Sequence, residues 1–259
     1  MPAILHRSFK RGALDLLDLV FPSPCLGCGG ATSAWCPQLG LCVACRGRLT
    51  RPRFACHVCA EPIEGALVPP GYRCGRCRRQ PPAFDRLVAP YLYRQPLDAV
   101  VRHLKYHRLA YLGRHLAILI ASAAGSELAA ADLITAVPLH WRRQLARGFN
   151  QAFEIAHPLA RFLQLEVRRT LRRTRATRPQ AELSRARRRP NPIGAFQARG
   201  NARLAGLTVL LVDDVMTTGA TLHAAATALK AVGARRVVAV VAGRTPPPRY
   251  LGEDRWQAS

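Results

Sequence analysis

Two adjacent acids and a threonine-rich turn, in the stretch LTVLLVDDVMTTGAT at 207–221, are the residues best suited to chemistry. Val209 to Val212 read as a strand buried on both faces, where a lone carboxylate is costly to hide, so Asp213 and Asp214 are expected where that strand ends. A loop from Val215 to Thr221 followed by a helix puts backbone N–H groups, with the Thr217, Thr218 and Thr221 hydroxyls, at a helix N-terminus, an arrangement that binds phosphate. Gly219 lets the main chain approach the ligand closely, with Met216 and Ala220 completing the loop. The carboxylates cannot bind phosphate, but they accept hydrogen bonds from vicinal sugar hydroxyls or help hold a hydrated Mg2+. Acids for hydroxyls beside amides for a phosphate describe a ribose 5-phosphate site.

Other chemistries with similar letters fit less well. A Walker B acid needs a G-x-x-x-x-G-K-[ST] loop to hold the phosphates, and the sequence contains none. A phosphorylation receiver also opens with an acidic strand end, yet only 45 residues follow Asp214, too few for the rest of a doubly wound domain. A helix N-cap that binds nothing explains Thr217 or Thr218 and leaves the two acids unexplained.

A second constellation lies near the N-terminus. Four C-x-x-C pairs, Cys25/Cys28, Cys42/Cys45, Cys56/Cys59 and Cys74/Cys77, occur with 13 or 14 residues between the members of each couple. Each two-residue gap lets a tight knuckle aim two thiolates at one tetrahedral ion, and the longer gaps suit a zinc ribbon. The eight ligands make two closed Zn2+ sites without an open position, so the metal is structural and supplies folding energy to a segment too small for its own core. A crossed pairing of the knuckles uses the same eight residues and stays open. His57 and the unpaired Cys36 are read as bystanders.

The chain of 259 residues is 49% hydrophobic and can bury a core, while its net charge of +24, from 39 Lys and Arg against 15 Asp and Glu, favours polyanions or phosphorylated ligands. Part of that charge is a solvated arginine-rich surface. No run is long and apolar enough to span a bilayer; GALDLLDLVF is broken by Asp15 and Asp18 and reads as a short amphipathic helix, not an export signal. Reduced thiols and a cytoplasmic location follow.

The elements that must position these residues are legible as alternating runs. Residues 1–24 carry the amphipathic helix, 25–79 the double ribbon, QPPAF at 80–84 a linker, 85–247 an α/β domain and 248–259 a tail. RLVAPYLY, DLITAVPLH and RRVVAVVAGRT read as strands, and DAVVRHLKY, AYLGRHLAILIASAAG, FNQAFEIAHPLARFLQ and TLHAAATALKAVGA as helices. Alternation of this kind gives a parallel sheet covered by helices on both faces, with ligands beyond the carboxyl ends of its strands.

LLVDDVMTTGAT resembles the 5-phosphoribosyl 1-pyrophosphate (PRPP) motif of type I phosphoribosyltransferases. Together with the four knuckles, YRQPL, HLKYHR, VPLHWRRQLARGFNQA and TRATRPQAELSRARRRPN, it resembles the ComF/GntX family over about residues 20–245. The resemblance implies a type I phosphoribosyltransferase-like fold behind a double zinc ribbon, PRPP with Mg2+ as ligand, and a link to competence and DNA uptake proteins.

It further implies a catalytic loop at Arg143, Arg147, Gly148, Phe149, Asn150 and Gln151, with Arg147 and Lys105 beside the leaving pyrophosphate and Asp213 and Asp214 at the ribose. Asn150 also suits a helix cap, and Lys105 a charge that complements a helix C-terminus. His103, His107, His140 and His157 read as helix or loop residues. The reaction so implied is attack of a nucleophile on the anomeric carbon of PRPP, with an acceptor that the motifs do not name. The other class of function is a non-catalytic PRPP-sensing or single-stranded-DNA-binding protein. Its feature is the stretch 168–191, with ten arginines against Glu182 alone, though no aromatic residue lies there to stack on a base. Tyr72 and Phe84 are candidates for stacking or for simple packing.

Overall fold

Short β-branched runs, too brief for helices, form the centre of the molecule. Strands β1 (Arg86–Val88), β3 (Leu133–Ala136), β4 (Glu166–Val167), β7 (Thr208–Val212) and β9 (Arg236–Val240) make a sheet in the order β1-β9-β7-β3-β4. Every neighbouring pair is parallel. The computed structural model describes residues 24–30, 40–63, 68–107, 109–174, 194–200 and 203–247. The expected N-terminal helix, Cys36, Arg108, residues 175–191 of the arginine-rich stretch and the 248–259 tail lie outside them.

Three of the strands break and then resume. Beyond the breaks lie β2 (Tyr91–Leu92), β8 (Val215–Met216) and β10 (Gly243–Arg244), parallel and in the order β2-β10-β8, which repeats the order β1-β9-β7 one step further along the chain. RLVAPYLY and RRVVAVVAGRT are therefore each two strands where one was expected. Hydrogen bonds still cross the gap, from Val241 N to Val88 O (3.0 Å), Asp213 N to Val240 O (3.0 Å) and Ala242 N to Asp214 O (2.9 Å). Asp213 and Asp214 thus follow the last residue of β7, where the strand was expected to end, and Val215 and Met216 are strand residues before the loop begins.

Helices cover both faces. Helices α3 (Leu97–Tyr106), α4 (Leu112–Leu128) and α6 (Gln151–Leu163) bury Leu104, Leu116 and Ile155 in one core with Ile134, Leu210 and Val212. On the other face α7 (Ala220–Lys230) buries Leu222 and Leu229 with Leu133, Val209 and Leu211. A two-stranded antiparallel flap, β5 (Leu171–Arg173) with β6 (Phe196–Ala198), was not read in the sequence.

The cysteine-rich segment joins both cores. Its short helices α1 (Val43–Gly47) and α2 (Gly75–Arg79) start at the knuckle residues Cys42 and Cys74. Cys25, Leu41 and Cys45 belong to the α3–α4–α6 core, and Cys56, Cys59, Cys74 and Cys77 to the α7 core. Main-chain bonds fasten the segment to the sheet, Leu87 N to Val58 O (2.8 Å) and Leu92 N to Thr50 O (2.9 Å). Phe84, only 2% exposed, packs in the α7 core and is unavailable for stacking on a ligand.

Candidate functional site

Asp213 and Asp214 lie in the irregular step between β7 and β8. Each carboxylate accepts from the next main-chain N–H, Asp213 Oδ1 from Asp214 N at 2.9 Å and Asp214 Oδ1 from Val215 N at 2.6 Å. The other oxygen of Asp214 lies 2.9 Å from Lys105 Nζ, with 11% and 17% of the two side chains exposed. Lys105, the next-to-last residue of α3, thereby reaches the acids from a different element. Burial alone would lower the Lys105 pKa, but the Asp214 carboxylate outweighs it and holds the ammonium above its ordinary value.

Asp213 has the opposite problem. Burial and then the charge of Asp214 push its carboxyl up to about 7, against the lowering effects of the Asp214 N–H, Lys105 and Arg173. Arg173 comes from the flap, where Arg143 also approaches it, so the flap brings a cation over the acids that the sequence hid among other arginines. Tyr93, half-buried beside Lys105 and Asp214, has its phenol pushed up by burial. In the sequence it stands out only as the first residue of YRQPL, one position beyond the two buried residues of β2.

Thr217 and Thr218 follow β8, and Gly219 caps α7 in the left-handed region at φ 83°. A small cavity of about 30 Å3 is lined by Asp213 and residues 215–222. The N–H groups of the first turn of α7 have no intrahelical acceptor, so they can serve an anion. Asp213 and residues 215–222 thus meet at the carboxyl side of the parallel sheet, with Asp214 next in sequence to both.

The segment expected as a catalytic loop is instead helix, turn, helix. Helix α5 (Trp141–Arg147) starts at His140, whose ring accepts from Arg142 N at 3.4 Å, and ends at Gly148 with φ 82°. Asn150 then caps α6, its Oδ1 accepting from Ala152 N at 3.1 Å. Two caps only a few residues apart leave little free loop between them. Arg147 donates to Gln151 Oε1 at 3.0 Å and lies over the Tyr106 ring at 5.3 Å, next in sequence to Lys105. Lys105 and Arg147 therefore approach the same end of α3, while Phe149 packs against the neighbouring core.

The knuckles pair in sequence order. Cys25, Cys28, Cys42 and Cys45 form one cluster and Cys56, Cys59, Cys74 and Cys77 the other, with all sulfurs of each within 4.8 Å of one another. Crossed pairing is ruled out. Separations such as Cys28 Sγ to Cys42 Sγ at 4.0 Å and Cys59 Sγ to Cys74 Sγ at 3.7 Å match the roughly 3.8 Å edge of a tetrahedron of ~2.3 Å Zn–S bonds. Main-chain N–H groups already point at the sulfurs, Cys42 N to Cys25 Sγ and Cys74 N to Cys56 Sγ, both at 3.2 Å, as thiolate ligands require. Both clusters can hold zinc. No helix among the described residues is long and apolar enough to cross a membrane.

Comparison with known proteins agrees with this geometry. Residues 145–250 match the phosphoribosyl transferase domain, so the α/β unit is of the type I phosphoribosyltransferase class. The chain is 36% identical over 215 residues to the DNA utilization protein YhgH of Salmonella typhi, covering 76% of this chain and 94% of that protein. It is 33% identical over 204 residues to YhgH of Escherichia coli K12, covering 76% and 87%. With Competence protein F of Haemophilus influenzae it shares 30% identity over 220 residues, covering 82% and 93%. The chain belongs to the ComF family.

Proposed function

We propose that this protein binds PRPP with Mg2+ and transfers its phosphoribosyl group to a nucleophilic acceptor. The observation that carries the reading is the single site formed by Asp213 and Asp214, the ion-paired Lys105 and the cradle at 217–221. The carboxylates hold the ribose hydroxyls, the cradle docks the 5′-phosphate, and Lys105 with Arg147 and Arg143 offsets charge on the departing pyrophosphate. In the reaction the acceptor forms a bond to the anomeric carbon while the bond from that carbon to pyrophosphate oxygen breaks. The carbon is electron-poor at that moment, so positioning and electrostatics supply the catalysis, and no covalent enzyme intermediate is needed.

Asp214 is already paired with Lys105, so the donor set suits a Mg2+ ion that keeps most of its water and is bound chiefly through the ligand. Such an ion neutralises the pyrophosphate. Two structural Zn2+ ions complete the proposal, in a reducing compartment such as the cytoplasm that keeps the eight thiols free. Calorimetric titration with PRPP and Mg2+ tests the site: wild type binds, and Asp213→Asn/Asp214→Asn weakens binding at least tenfold, about 1.4 kcal/mol. No binding by wild type would sink the reading.

A second reading, contact with single-stranded DNA, is favoured by one feature: Trp141 is 59% exposed with the Arg142 guanidinium 5.2 Å from its ring. A ring under a cation beside further arginines can stack a base while the cations follow phosphates. The names of the relatives point the same way. Binding to a labelled single strand should fall steeply as salt rises and should weaken in Trp141→Ala; a salt-insensitive or absent signal removes this reading.

A further inference from the structure

The second cysteine cluster reaches the phosphate cradle by two routes, through residues that also contact its own sulfurs. Arg76 lies between Cys74 and Cys77, and its Nη1 donates to Thr218 O at 3.1 Å. In a trans peptide the C=O and the following N–H point to opposite sides. A guanidinium gripping the Thr218 carbonyl therefore fixes the direction of the Gly219 N–H, one of the amides available to an anion.

The second route runs beneath the same glycine. Arg244, 4% exposed, lies 3.1 Å from Glu61 Oε2 through Nη2 and 3.6 Å from Met216 Sδ through Nη1. The same Glu61 oxygen is 4.0 Å from Cys74 Sγ. A Cβ at Gly219 would come within 2.6 Å of the Met216 methyl, so Met216 fills the space directly against the cradle. A third tie, Ala83 N to His223 Nδ1 at 3.0 Å, holds the first turn of α7 to the segment that leaves the cluster.

We propose that the Cys56–Cys77 module is a positioning element for the cradle: Arg76 and the Glu61–Arg244–Met216 chain hold the 217–221 main chain in its phosphate-binding form. This role rests on the reading of 217–221 as a phosphate cradle. It assigns a function to the second cysteine cluster beyond folding, since the knuckle that orients Cys74 and Cys77 is also the one that aims Arg76. Arg76, Glu61 and Arg244 do not line the cavity at the cradle and act through its main chain.

The two ends of the ligand separate positioning from general stability. Titrations of the full, metal-loaded chain use ribose 5-phosphate, which needs the cradle, and pyrophosphate with Mg2+, which does not. Arg76→Ala should weaken ribose 5-phosphate roughly tenfold while leaving pyrophosphate affinity and zinc content unchanged. Arg76→Lys, which still donates to the Thr218 carbonyl, should recover part of the loss. In a Gly219→Ala background, where the cradle is already disturbed, Arg76→Ala should add nothing, as expected for residues acting through one structure.

Should Arg76→Ala lose metal, Glu61→Gln gives an independent arm. It keeps all eight thiols, weakens the ion pair to Arg244 and should show the same selective loss. Unchanged ribose 5-phosphate binding in these variants, or equal losses for both ligands, overturns the proposal. Failure of wild type to bind ribose 5-phosphate or PRPP would remove the cradle itself, and this role with it.

Discussion

At the scale of single residues, the site turns on the unequal treatment of two neighbouring acids. Asp214 is compensated by Lys105 at 2.9 Å, whereas Asp213 is buried beside a like charge and titrates near 7 in place of 3.8. The folded state thus holds the Asp213 proton more tightly than the unfolded state. Stability from this source is complete below about 3.8, declines as pH rises and is gone above about 7. Ligand binding has the opposite sense, because ribose hydroxyls donate and are best met by an ionised carboxylate. PRPP affinity should therefore rise between pH 6 and 8, with a proton released on binding, and Asp213→Asn should abolish the dependence. Calorimetry in two buffers of different ionisation enthalpy measures the released proton; a pH-independent wild type would contradict the assignment.

At the scale of elements, precision comes from how closely helices and strands approach. Gly113 of α4 faces Glu154 of α6, where a Cβ would lie 2.6 Å from the Glu154 carbonyl oxygen. Pro158 lies four residues after Glu154 and lacks the N–H that would otherwise bond that carbonyl, so the two helices meet where one has a gap in its own ladder. Gly113→Ala should cost about 1–3 kcal/mol in urea unfolding, since the clash is with backbone that cannot rotate away.

The same scale explains what the sequence could and could not disclose. The buried strand at 209–212 and the helices around it were legible because apolar runs and helical periodicity state burial directly. The breaks at Ala89–Pro90, Asp213–Asp214 and Val241–Ala242 were not, because the apolar pattern continues across two of them and only the ladder reveals the step. Helix α5 was hidden by its exposed Arg, Trp and Leu145 side chains, which bury nothing. Arg76 lies between two cysteines of a knuckle, its partner Thr218 is 142 positions away, and no local pattern carries such a contact.

At the scale of the whole molecule, the cysteine modules are parts of the two cores that sandwich the sheet. Cys25 and Cys45 share a buried cluster with Leu104 and Leu116, and Cys59 and Cys77 share one with Leu222 and Leu229. A structural zinc site contributes roughly 10–16 kcal/mol of apparent binding free energy at neutral pH, comparable to the whole net stability of an ordinary domain. Where such a site is isolated on a linker, removing the ion melts the small module and spares the rest. Here each four-cysteine cluster packs in the core on a different face of one sheet, so loss of a metal bound there should propagate. Elemental analysis of the purified, reduced protein should find two zinc ions per chain. Stripping them with a chelator should lower the melting temperature of the entire chain in a single cooperative transition, followed together by far-ultraviolet circular dichroism and, in a Trp35→Phe/Trp256→Phe background, by fluorescence from Trp141 in the α/β unit. A metal-free protein whose Trp141 signal melts at the wild-type temperature would show that the sheet stands without its zinc, and that the shared cores are contact without mutual support.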